Sequence, residues 1–125
     1  MQKMKIRMLN DPPHPIAVLD EDGILIHDVQ SALDLIMTVS YETQASRIVL
    51  KKEQVCEEFF DLKTRIAGEI LQKFVTYRVA VAIIGDFSIY HSKSLRDFIY
   101  ESNQGRHIFF LENEEAAVRK FRQIP

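Results

Sequence analysis

One cysteine, four glycines and no tryptophan occur in 125 residues, and each scarcity removes a class of protein. A lone thiol, Cys56, excludes an internal disulfide and any zinc site built on paired thiolates. Glu57 and Glu58 follow it and disfavour a thiolate, so Cys56 reads as a half-buried structural residue and not as a nucleophile. Gly23, Gly68, Gly85 and Gly105 are too scattered for a dinucleotide loop or a phosphate-binding loop. His14, His27, His91 and His107 lack metal-ligand spacing, and neither a metal nor a cofactor is expected. The longest apolar run, Val79 to Ile84, is far shorter than a membrane span, and Lys3, Lys5 and Arg7 have no apolar region behind them to make a signal peptide. A net charge of −2 provides no overall field to attract nucleic acid or an anionic membrane. The expectation is a cytoplasmic protein with no nucleic-acid and no membrane partner.

What is present is an ordinary globular balance, 46% hydrophobic and 27% charged, in a length suited to a single domain over residues 1–125. The start alternates, with Met4, Ile6 and Met8 opposite Lys3, Lys5 and Arg7, as in a half-buried edge strand. The proline-rich stretch from Asn10 to Pro15 must be a loop. Ile16 to Leu19 and Ile24 to Ile26 read as two short strands around a turn at Asp20 to Gly23. Asp28 is placed to cap a helix whose apolar positions are Val29, Ala32, Leu33, Ile36 and Met37. Ser46 to Leu50 reads as a buried strand. Helices near Thr64 to Val75, Leu95 to Ser102 and Glu114 to Phe121 then alternate with strands at Val79 to Ile84 and His107 to Leu111. Antiparallel strands at the front, followed by alternating helices and parallel strands, define a mixed α/β sheet.

The segment from Glu57 to Ser88 concentrates the candidate functional residues. Ala67, Ile70, Leu71 and Phe74 form one apolar helical stripe, with Arg65, Glu69, Gln72, Lys73 and Thr76 on a solvated face laced by Arg65–Glu69 and Glu69–Lys73 pairs. Gly68 interrupts that helix, and close packing on the neighbouring strand is the expected reason. Asp61 and Thr64 stand where the helix begins, and either can cap its amides. With Lys63 the same entry could hold an anion. Phe59 and Phe60 precede it, one expected as a staple and the other to line a pocket, cover an edge or enter a subunit contact. The run Val79 to Ile84 does not alternate and is therefore central, and Gly85-Asp86-Phe87-Ser88 leaves from its carboxyl end, where open α/β sheets bind ligands. Asp86, Ser88, Tyr90, His91 and Ser92 gather there. Ser92 or Ser94 can cap the next helix, Ser94 with Asp97 fitting a capping box.

The stretches FFDLKTRIAGEILQKF, AIIGDFS and SKSLRDFIYESN and the closing EEA resemble a family of small bacterial proteins, domain of unknown function four-one-eight-zero, from Ile16 onward. That family brings no known activity. The order of elements also resembles the STAS domains of anti-sigma-factor antagonists. There a strand like Arg47 to Leu50 leads to a helix opening Asp-Ser-Ser-Gly, and phosphorylation of a serine switches partner binding. Asp61 lies at that aspartate, whereas Leu62 and Lys63 replace the serines and Thr64 and Gly68 are displaced.

The resemblance implies a STAS-like fold, and the surplus of polar residues with no catalytic signature points to a non-catalytic binding or regulatory module whose surface comprises Asp61, Lys63, Thr64, Gly68, Asp86, Ser88 and His91. A protein partner or a small anionic ligand would be its target; a separate reading is that the same residues form only a homodimer interface. The alternative is a small hydrolase or transferase with Asp86 or His91 as general base and the helix entry as anion site.

Overall fold

The structure, a computed structural model, describes residues 4–9 and 12–125. Five strands form one sheet in chain order: β1 (Ile6–Leu9), β2 (Ile16–Leu19), β3 (Arg47–Lys51), β4 (Ala80–Ile84) and β5 (Ile108–Leu111). β1 runs antiparallel to β2 with Ile6 opposite Leu19, and β2 to β5 are mutually parallel. Helices α1 (Val29–Thr43), α2 (Ile66–Thr76) and α3 (Lys93–Asn103) join successive parallel strands, and α4 (Glu114–Arg122) follows β5. The mixed α/β sheet expected from the alternation is therefore present.

This strand order decides where the helices go. Each crossover moves one strand further in the same direction, and right-handed connections then place all three helices on one face. Leu35, Ile36, Ile70, Phe74 and Leu95 accordingly share a core with Ala17, Ile48, Val81 and Ile83. α4 makes no crossover and covers the other face, packing Ala117 and Phe121 on Ile16, Val18, Val49, Ala82 and Phe109. β4 is buried on both faces, as its unbroken apolar run predicts. Arg47, a charged residue in a buried strand, is satisfied by donating to the carbonyls of Phe121 (2.6 Å) and Ile124 (3.2 Å) at the end of α4.

β1 lies at the sheet edge, with Met4, Ile6 and Met8 against the α1–α3 core. Arg7 points the other way and bridges Asp20 (2.8 Å) and Glu114 (2.6 Å). Lys3, Asn10 and Asp11 fall outside the described residues.

The hairpin expected between Ile16–Leu19 and Ile24–Ile26 does not form. β2 already has β1 on one side and β3 on the other, so a returning strand has no vacant edge. Ile26 instead makes an isolated parallel bridge with Val55. Gln54 holds this crossing: its carbonyl accepts from the amides of Leu25 (2.7 Å) and Ile26 (3.0 Å), and its buried side-chain amide donates to the carbonyls of Leu19 and Glu21, both at 2.8 Å.

Asp28 caps α1 as expected, accepting from the Ser31 amide at 2.8 Å. The buried stripe of α1 is Ala32, Leu35, Ile36 and Val39, rotated from the expected one, and Met37 is 44% exposed. Ser92 caps α3 by accepting from the Leu95 amide (3.2 Å). The Ser94–Asp97 box is absent because Ser94 lies inside the helix and Asp97 pairs with Lys93 (2.7 Å).

Candidate functional site

Two connections leave the carboxyl ends of the central strands and meet there: residues 52–65 after β3 and residues 85–92 after β4. The first is three successive 3-10 turns, Lys52–Gln54, Glu57–Phe60 and Leu62–Thr64. In such turns neighbouring side chains diverge by about 120° and not by the 180° of an extended segment. Phe59 and Phe60 are consequently both buried. Their rings meet edge to face at 5.0 Å.

Phe60 joins the two connections. It stacks on Tyr90 with centroids 5.0 Å apart and lies 6.0 Å from Phe87, both in the β4–α3 loop. The Tyr90 hydroxyl donates to the Glu57 carboxylate (2.9 Å), closing the loops on each other a second time. Burial, and then that carboxylate as acceptor, push the Tyr90 phenol above its ordinary value. The Lys52 ammonium sits over the Tyr90 ring (5.2 Å) and the Phe60 ring (5.8 Å) and 3.7 Å from Glu57. Lys52, Glu57 and the structural part of Tyr90 carry no motif in the sequence. Only the proximity of Phe60 to a polar loop hinted at a joint.

The residues expected at the α2 entry are all on the surface. Asp61 caps the last 3-10 turn and not α2, accepting from the Lys63 amide (3.2 Å). The Thr64 hydroxyl lies 2.9 Å from the Glu58 carbonyl and 2.8 Å from the Asp61 carbonyl, and it accepts from the Ile66 amide at 3.3 Å. α2 begins only after Arg65, a left-handed residue (φ 64°) with no side-chain cap. The amides nearest the proposed anion site are thus partly engaged by the chain itself. The stripe Ala67, Ile70, Leu71 and Phe74 is buried as predicted. The Arg65–Glu69 and Glu69–Lys73 pairs are absent among the described ion pairs, and Arg65 lies outside the helix.

Gly68 does not pack on the neighbouring strand: a Cβ built there meets nothing within 4 Å. The chain itself makes no use of its lack of a side chain, and it leaves a flat, open spot on the outer face of α2.

After β4, Asp86 forms a closed turn, its Oδ1 accepting from the Ser88 amide (2.9 Å) and hydroxyl (2.6 Å). The Ser88 hydroxyl first, its amide second, hold the Asp86 carboxyl below the usual carboxylate range. His91 is exposed and borders none of the described cavities, and no described hydrogen bond links it to Asp86. Among the described residues nothing joins Asp61, Lys63 or Thr64 to Asp86, Ser88 or His91 by hydrogen bond or ion pair; the aromatic joint alone relates the two groups. No cluster of three or more metal-ligating side chains occurs among the described residues.

Asp86 and Glu112 stand on the rim of a groove of about 700 Å³ between the ends of β4 and β5, floored by Phe87, Ile99, Phe110 and Leu111. Glu112 and this groove had no signature in the sequence, because they depend on β5 lying beside β4. Cys56 is buried, and burial raises its thiol further from the thiolate form.

The chain belongs to the family described as domain of unknown function (DUF4180), whose model matches residues 12–121. No protein of curated function matches it. A crystal structure of a Thermotoga maritima protein assigned as an anti-sigma factor antagonist is similar to it at a TM-score of 0.50 and 13% identity, over 96% of this chain and 95% of that one. Identity that low establishes the fold alone, and the fold is STAS-like. No helix among the described residues is long and apolar enough to cross a membrane.

Proposed function

We propose that this DUF4180 chain is a non-catalytic regulatory module that binds a protein partner through the carboxyl end of its sheet. The contact surface comprises Asp61, Lys63, Thr64 and Gly68 at the entry of α2, with Asp86, Ser88 and His91 of the β4–α3 loop. One observation carries this reading. The two loops are locked into a single platform by the Phe60–Tyr90 stack and the Tyr90–Glu57 hydrogen bond, while Lys63 and His91 project from it without a hydrogen bond or ion pair among the described residues. A preorganised backbone with unengaged polar side chains suits recognition, because ordering costs are already met before the partner arrives. The open spot at Gly68 adds a place where a partner's backbone can approach the helix.

Catalysis draws no comparable support from the geometry. Asp86 has one oxygen committed to Ser88, and no described contact sets His91 to accept a proton within reach of it.

The test uses Lys63→Glu combined with Gly68→Gln, two exposed positions at which no internal contact is lost. Immobilised protein is used to recover binding proteins from the source cells, with circular dichroism as the control for folding. The double variant is expected to lose the specifically recovered partner while keeping the native spectrum. Undiminished recovery by the folded variant removes α2 from the surface.

A further inference from the structure

We propose that the groove between the ends of β4 and β5 receives an arginine or lysine side chain from a basic segment of the partner protein. This deepens the binding reading above and rests on it, naming the chemistry of what that end of the sheet takes.

The groove has two kinds of wall. Its floor is apolar, with Phe87 and Phe110 in edge-to-face contact at 5.5 Å and with Ile99 and Leu111 beside them. Its rim carries the carboxylates of Asp86 and Glu112. A lysine or arginine has the matching form, an apolar stem with a charged head that can stay at the water boundary. The planar guanidinium suits this placement further, since it can lie on an aromatic face while donating to a carboxylate.

Charge excludes the other occupants. The residues that line the groove include Asp86 and Glu112 and not one lysine or arginine. Glu114 is neutralised by Arg7 at 2.6 Å, and the nearby Lys52 ammonium is engaged by Glu57 and two ring faces. Asp86 feels the field of Lys52 without pairing with it, and neither Asp86 nor Glu112 has a cationic partner in the described ion pairs. An anion entering would meet like charge, and a purely apolar ligand would desolvate carboxylates without compensation.

The mode is side-chain insertion and not strand addition. The Asn103 side chain occupies the outer edge of β5, donating to the Phe110 carbonyl (3.0 Å) and accepting from its amide (2.8 Å). A partner strand would have to displace both bonds.

The test is a nitrogen–proton NMR titration of the intact chain with two short acetylated peptide amides, Ala-Arg-Phe-Arg-Ala and Ala-Glu-Phe-Glu-Ala. The arginine peptide is expected to shift the amides of Gly85, Phe87, Leu111 and Glu112 saturably, and the glutamate peptide to leave them in place. Glu112→Gln, which breaks no described hydrogen bond, should weaken the arginine peptide about tenfold. Asp86→Asn with Glu112→Gln should abolish the shifts while the spectrum of α1 and α2 stays native. Absence of saturable shifts, equal shifts from both peptides, or unchanged affinity in Glu112→Gln overturns the proposal. If those failures occur while Lys63→Glu with Gly68→Gln still loses its partner, the cationic side chain is excluded and the binding surface itself stands.

Discussion

Gly85 and Lys52 are in contact across the ends of β4 and β3, so close that a methyl group on Gly85 would lie 2.8 Å from the Lys52 Cβ. The first carbon of the lysine side chain is fixed by the backbone and cannot swing aside. Gly85 also has φ +155°, which side-chain-bearing residues rarely adopt. Gly85→Ala is therefore expected to destabilise the fold by about 1–3 kcal/mol, and to push Lys52 off the Phe60 and Tyr90 rings. Urea unfolding measures the first effect and side-chain NMR of Lys52 the second. Full retention of stability would mean that the strand ends yield freely, and the rigid platform would lose its basis.

Gly68→Ala should act in the opposite direction. The helix interior favours alanine over glycine by about 1 kcal/mol, and the added methyl group meets nothing within 4 Å. A midpoint shift to higher urea concentration of that size is expected. Loss of stability would reveal a contact on the outer face of α2 that the isolated chain lacks, such as one with a second copy. A helix that forgoes this gain at an open position suits a surface selected for what approaches it.

Alkaline pH should weaken the joint between the loops. The Tyr90 phenol is raised above its ordinary value of 10.0 by burial, then by its hydrogen bond to Glu57. The folded chain thus holds this proton more tightly than the unfolded chain. The associated stability is complete below about pH 10 and declines as pH rises towards the folded value. Tyr90→Phe removes that decline and should cost about 0.5–1.5 kcal/mol at neutral pH, since Glu57 remains solvated. Unfolding free energies measured from pH 7 to the alkaline limit compare the two proteins. Parallel curves would show that the hydroxyl contributes nothing to the joint.

The parts of the fold that were legible in sequence are those set by local periodicity. The α2 stripe of Ala67, Ile70, Leu71 and Phe74, the Asp28 cap and the doubly buried β4 each follow from spacing or one side chain. What failed depends on neighbours. Ile24 to Ile26 has strand composition, but the flanks of β2 were already taken by β1 and β3. Left-handed backbone falls on Gln44, Arg65 and Arg78, none of which announces it, and Arg65 moved the start of α2 past Asp61 and Thr64. The candidate site was half visible: the polar residues of both loops could be named, but the Phe60–Tyr90 joint and the Asp86–Glu112 groove arise only when three strands lie side by side.

The placement of α4 bears on how the protein is made. Until α4 has left the ribosome, the sheet face formed by Ile16, Val18, Val49, Ala82 and Phe109 lacks the cover this helix gives it, although the other face is already packed by α1, α2 and α3. A nascent chain stalled after β5 would therefore present a broad apolar sheet to its surroundings, the kind of surface that chaperones hold and that aggregates otherwise. Arg47 lies on the same face, and its guanidinium gains the carbonyls of Phe121 and Ile124 only once α4 has docked.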